Sequence, residues 1–82
     1  MDSIDRMKRE IISLCRYCRR KHQITQRRLS EVTGVNLSVF SRFENGWFSF
    51  EVARHYYKHV MNVFEADEFE ARIDSLKREY LK

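Results

Sequence analysis

The chain has no proline, only two glycines and only two cysteines. Proline and glycine punctuate tight turns, so their scarcity excludes a sheet-rich domain with many hairpins and favours helices joined by a few deliberate turns. Cys15 and Cys18 are too few to staple a fold, and they fall where a helix is expected, so a reduced, cytoplasmic protein is expected. No apolar run approaches the length of a membrane span, about 20 residues. The opening Met1-Asp2-Ser3-Ile4-Asp5 lacks the basic-then-apolar build of a secretory signal. What is present is globular: 43% hydrophobic, 13% aromatic and 34% charged, in 82 residues. A chain of that size holds one core and leaves little room for an enzyme cleft.

Charge is distributed unevenly. Residues 1–34 carry nine Lys/Arg against four Asp/Glu, whereas residues 65–82 carry four against six. A basic front and an acidic tail point to a polyanionic partner at the front, and nucleic acid is the usual one.

The periodicity predicts five helices. Ser3 is the expected N-cap of the first, whose stripe is Ile4, Met7, Ile11, Leu14, Cys15 and Cys18, with Arg16, Arg19, Arg20, Lys21 and His22 crowding its end. Thr25 caps a second helix, Gln26 to Thr33, with Leu29 and Val32 facing inward and Gly34 as a left-handed stop. Arg27 and Arg28 sit in its first turn, where the dipole is already positive. That placement suits a docked phosphate, which accepts bonds from the free backbone N–H groups and an arginine together. Asn36 caps a third helix, Leu37 to Glu44, stopped at Asn45-Gly46.

At about 100° per residue the faces of the third helix separate. Val39, Phe40 and Phe43 point one way, and Leu37, Ser38, Ser41, Arg42 and Asn45 share the opposite arc. That arc is a poor core face and a good surface to lay against hydrogen-bonding groups. A fourth helix is expected from Phe50 toward Phe64, capped by Ser49, with the stripe Phe50, Ala53, Tyr57, Val60, Met61 and Phe64. Asp67 with Glu70 fits a capping box for a fifth. Its stripe, Phe69, Ile73, Leu76 and Tyr80, has the spacing of a heptad seam.

The segment Ile24-Thr25-Gln26-Arg27-Arg28-Leu29-Ser30-Glu31-Val32-Thr33-Gly34-Val35-Asn36, followed by Phe40-Ser41-Arg42-Phe43-Glu44-Asn45-Gly46, resembles the Cro/C1-type (XRE-like) helix-turn-helix DNA-binding domain. The resemblance covers residues 11–64. It implies an all-α, five-helix lambda-repressor-like fold, with residues 1–64 as the DNA-binding domain and residues 65–82 as a C-terminal helix for dimerisation or partner binding. It also implies that the third helix reads the major groove of double-stranded DNA. The base-facing candidates are then Leu37, Ser38, Ser41 and Arg42, and Gln26, Asn36 and Asn45 join Arg27 as phosphate contacts. Arg19 and Glu44 match an arginine–glutamate pair that braces helix three against helix one in that family, and the pair is expected to be buried. The sequence departs from the family after Gly46, where Trp47-Phe48 replaces a longer loop. Trp47 and Phe48 are expected to cover the core or to contact a second subunit, with Phe69, Ile73, Leu76 and Tyr80 completing a homodimer or partner surface.

Other chemistries fit less well. Cys15-x2-Cys18 and His55-x3-His59 have the internal spacings of a zinc finger, but the two halves are too far apart in sequence, and both cysteines lie on an apolar stripe. No metal or cofactor is expected. Neither cysteine has a recognisable base and there is no glycine-rich phosphate loop, so no enzyme is expected. The expected function is that of a small transcriptional regulator, most simply a repressor. The alternative is a protein-binding helix-turn-helix domain, an antirepressor or assembly partner, that uses the aromatic surface in place of the groove face.

Overall fold

A computed structural model describes residues 3–81 of the chain. Five helices follow in order: α1 (Ser3–Lys21), α2 (Gln26–Thr33), α3 (Leu37–Glu44), α4 (Phe50–His59) and α5 (Val63–Tyr80). No strand occurs among the described residues, so the fold class is all-α. No helix is long and apolar enough to cross a membrane among those residues.

The long helix α1 is the axis of the structure, with α3, α4 and α5 packed around it and α2 against α3. Its buried face holds Ile11, Ile12, Cys15 and Cys18, with Ile4, Met7 and Leu14 half-buried beside them. The expected stripe is therefore right, with Ile12 added to it. Both thiols are free and buried, as small core residues. Burial, together with the nearby Cys18 and Glu44, pushes the Cys15 thiol well above its ordinary range. Burial and Glu65 push Cys18 up to about 11. Ser3 lies within α1 instead of ahead of it.

Local capping places the short helices where their sequences indicate. The Thr25 hydroxyl accepts from the Arg28 N–H at 3.0 Å. Asn36 accepts from the Ser38 N–H at 2.9 Å, and Ser49 from the Val52 N–H at 3.3 Å. Gly34, at φ +74°, closes α2 in the left-handed region. The α2–α3 turn is knitted by its own side chains: the Thr33 hydroxyl donates to the Leu29 carbonyl at 2.7 Å and accepts from the Val35 N–H at 3.2 Å. Val32, expected inside, is 44% exposed, because the inward face of α2 runs through Gln26, Leu29, Ser30 and Thr33 and Val32 falls on the other side of Leu29.

The second half of the chain differs from its sequence reading in three ways. First, α4 stops at His59 and buries Val52, Ala53 and Tyr56, with Val60 just beyond its end. The inward tyrosine is thus Tyr56, with Tyr57 half-buried, while Phe50 and Phe64 are exposed. Second, α5 begins four residues before Asp67. Its capping box is Asn62 with Glu65: each side chain accepts the other residue's backbone N–H at 2.9 Å. Glu70 instead accepts the Tyr57 hydroxyl. Third, α5 is no appendage. Phe69 and Leu76, at 6% and 0% exposure, belong to the same core as α1, which leaves them little surface to offer a partner and packs α5 onto the helices that precede it.

Glu65 also latches the two long helices together. It takes the Lys21 ammonium at 3.0 Å and the His22 Nε2 at 2.7 Å. Burial opposes its charge, but the Asn62 N–H, His22 and Lys21 outweigh that cost and hold its carboxyl at about pKa 2. An unfolded glutamate titrates near about 4.3. The stability contributed by Glu65 is therefore complete above that value and drains away as pH falls through the folded value, about 2. Denaturation across that acid window is expected to show a shallower loss of stability in Glu65→Gln than in the wild type; equal slopes would refute the latch. Leu76→Ala is expected to cost about 2–5 kcal/mol in urea unfolding, since it opens a cavity in the shared core. A cost below about 1 kcal/mol would instead mean that α5 packs as a loose addition.

Candidate nucleic-acid interface

The placement of α3 starts from its inward face. Phe40 and Phe43 are fully buried. Tyr56 stacks on Phe43 at 5.2 Å between centroids and meets Phe40 edge-on at 5.9 Å. Val39 is half-buried against the same cluster. With these side chains fixed, helical geometry turns the opposite arc outward.

Glu44 at the end of α3 completes the anchoring. The Arg19 guanidinium donates Nε to Oε2 at 2.7 Å and Nη2 to Oε1 at 2.9 Å, a two-pronged contact. A third Arg19 nitrogen, Nη1, donates to the Ile24 carbonyl at 2.8 Å, which ties the bend after α1 into the same site. The Tyr56 hydroxyl donates to Oε2 at 2.7 Å. The side chains of Arg19 and Glu44 are 11% and 6% exposed, so the pair is buried as expected. Burial disfavours the Glu44 charge, but the hydrogen bonds from Arg19, Tyr56 and Gln26 prevail and keep the carboxyl below its usual range. Burial and Glu44 together push the Tyr56 hydroxyl far above its own. The tyrosine had no part in the sequence reading, because nothing local distinguishes Tyr56 from Tyr57 as the inward residue.

The outward arc of α3 gathers the four base-facing candidates on one surface. Leu37 is 40% exposed, Ser38 and Arg42 are exposed, and Ser41 is half-buried. The only acidic residue of α3 is Glu44, which points inward, so the arc carries no carboxylate. Asn36 and Asn45 flank it at the two helix ends, both exposed and both working as caps. Asn36 Oδ1 accepts from the Ser38 hydroxyl as well, at 2.9 Å. Asn45 Nδ2 donates to the Ser41 carbonyl at 2.8 Å, leaving its second amide hydrogen for another acceptor. Arg27 and Arg28 are exposed at the start of α2. Gln26 is half-buried and contributes to keeping Glu44 charged.

Of the six residues expected at a subunit or partner surface, the structure leaves Trp47 and Tyr80 exposed, and half-buries Phe48 and Ile73. Phe48 covers the end of the core, 6.2 Å from Phe43. Trp47 does not: its ring lies under the Arg42 guanidinium, with Cζ 4.7 Å from the centroid. This contact was not foreseen, although Arg42 and Gly46-Trp47 already have the spacing that a helix ending needs to bring them together.

Elsewhere, a groove of about 580 Å³ runs between α4 and α5, lined by the apolar Phe50, Phe69 and Ile73 and by charged residues that include Glu51, Arg54 and Lys77. Tyr57 and Glu70, whose hydroxyl and carboxylate are hydrogen-bonded to each other, also line it. His55 stands edge-on to Phe40, and burial with the neighbouring His59 lowers its pKa. No three His, Cys, Asp or Glu side chains converge as a metal site would require among the described residues.

Breaking one side of the Arg19–Glu44 pair strands the other charge. Arg19→Ala and Glu44→Ala are each expected to cost about 3–5 kcal/mol in thermal or urea unfolding. Two variants within about 1 kcal/mol of wild type would show that the pair does not brace α3. No protein-family model, curated protein or solved structure matches the chain.

Proposed function

We propose that the chain binds double-stranded DNA through α2 and α3, as a small transcriptional regulator of the Cro/C1 helix-turn-helix kind, with α3 lying in the major groove. The observation that carries this reading is the outward arc of α3: small, polar and free of acid, with one guanidinium, and held from behind by Phe40, Phe43 and Glu44. A duplex is a dense array of negative charge, so a carboxylate on that arc would oppose it. The acidic residues of α5 lie on a helix packed chiefly against α1.

The residues divide by role. Arg42 can pair with the O6 and N7 of a guanine, and Leu37 can pack on a thymine methyl. Ser38 and Ser41 present hydroxyls to base edges. Arg27 beside the free N–H groups of α2 suits a phosphate, as do the amides of Asn36 and Asn45. These phosphate contacts set register and leave selection to the α3 arc. A protein partner on the aromatic surface has less support, since Phe69 and Leu76 are spent on the core.

Selection from a pool of random duplexes, followed by binding at rising salt, tests the reading. Enriched sites and a steep fall in affinity with salt are expected, through release of counterions from the backbone. If two copies bind together, the enriched sites will be inverted repeats with half-sites about 34 Å apart. Arg42→Ala is expected to cost about 1–3 kcal/mol and to relax preference at one base pair, whereas Arg27→Ala weakens all sequences alike and lowers the salt slope by about one. A pool that shows no enrichment, with affinity indifferent to salt, would exclude duplex binding.

A further inference from the structure

Helices α1 and α3 end in the same way. At the end of α3 the Trp47 N–H donates to the Arg42 carbonyl and the Gly46 N–H to the Phe43 carbonyl, both at 3.0 Å, with Gly46 at φ +117°. At the end of α1 the Ile24 N–H donates to the Arg19 carbonyl at 2.9 Å and the Gln23 N–H to the Arg20 carbonyl at 3.0 Å, with Gln23 at φ +58°. Both are Schellman motifs, in which the chain folds back so that the residue after the positive-φ position lies over a residue of the last turn. In each ending that covered residue is an arginine. Arg19 is pinned by Glu44 and the Ile24 carbonyl. The Arg42 side chain makes no hydrogen bond or ion pair among the described residues, and its contact is the Trp47 ring.

We propose that Trp47 is a positioning residue that holds Arg42 ready to read a base. This rests on the duplex-binding reading above and goes one step beyond it. All five N–H donors of a guanidinium lie in its plane, so an aromatic ring on its face leaves the hydrogen-bonding edge free. A carboxylate partner would have taken that edge, as Glu44 takes the edge of Arg19. An unsupported arginine on an exposed helix surface loses rotamer freedom when it binds, and that loss weakens the contact. The indole removes part of the freedom beforehand. Its place is set by the backbone, because Gly46 allows the positive φ that brings Trp47 over Arg42. Phe48 meanwhile closes the core, which leaves Trp47 for this task.

Trp47 is the single tryptophan of the chain, so it reports its own contact. In the free protein, Arg42→Ala is expected to change the indole emission and near-ultraviolet dichroism; identical spectra would overturn the stack without reference to any duplex. The second arm uses the duplex that the wild type enriches and its variants at each base pair. Trp47→Ala is expected to lose about three- to tenfold of discrimination at the base pair that Arg42 reads, the scale of ordering one long side chain, and little elsewhere. Trp47→Phe should restore most of it, since a ring face remains, and the double variant with Arg42→Ala should match Arg42→Ala alone. A Trp47→Ala protein that keeps full discrimination, or that weakens every sequence equally, would overturn the positioning role while leaving duplex binding in place. A wild type that enriches no duplex would overturn the binding reading, and this inference with it.

Discussion

The Glu44 carboxylate is the point on which the arrangement turns. Its hydrogen-bond partners come from two other helices, Arg19 from α1 and Tyr56 from α4, and Gln26 of α2 adds to the field that keeps it charged. An eight-residue helix such as α3 has too few internal bonds to be stable alone, so its orientation comes from what it packs against. Phe40 and Phe43 supply the apolar share of that packing, but apolar contact is non-directional. A two-pronged guanidinium–carboxylate contact is directional, and it sets the rotation of α3 about its own axis. That rotation decides which side chains face water.

A second carboxylate does comparable work at the other side of α1. Glu65 caps α5, receives Lys21 and His22, and lies against Cys18. Both carboxylates bind cations near the end of α1, so the basic cluster there is only partly available to a partner. Arg19 and Lys21 hold the fold, whereas Arg27, Arg28 and Arg42 are exposed on α2 and α3. Part of the lopsided charge of the sequence is thus used within the fold, and a count of cations would overstate what is left for a partner.

The repeated Schellman ending shows how one backbone device serves two ends. Over Arg19 it closes a buried junction, where each guanidinium nitrogen donates a hydrogen bond. Over Arg42 it faces water, where a ring replaces the acid. The difference lies in the surroundings, since the local backbone bonds match.

The bounds of α2 and α3, their caps at Thr25 and Asn36 and the stop at Gly34 were legible because each depends on residues within a few positions of one another. The outward arc of α3 was legible for the same reason, being a matter of angle along one helix. The start of α5 was not, since Asn62-x-x-Glu65 and Asp67-x-x-Glu70 are both acceptable caps, and Glu65 is favoured by Lys21 and His22, 44 and 43 residues away. Likewise the choice of Tyr56 over Tyr57 depends on Glu44. The stripe of Phe69, Ile73 and Leu76 announced a buried seam without saying what would bury it. An apolar face minimises its contact with water against any surface of matching shape, and only the folded chain decided that this surface was its own first helix.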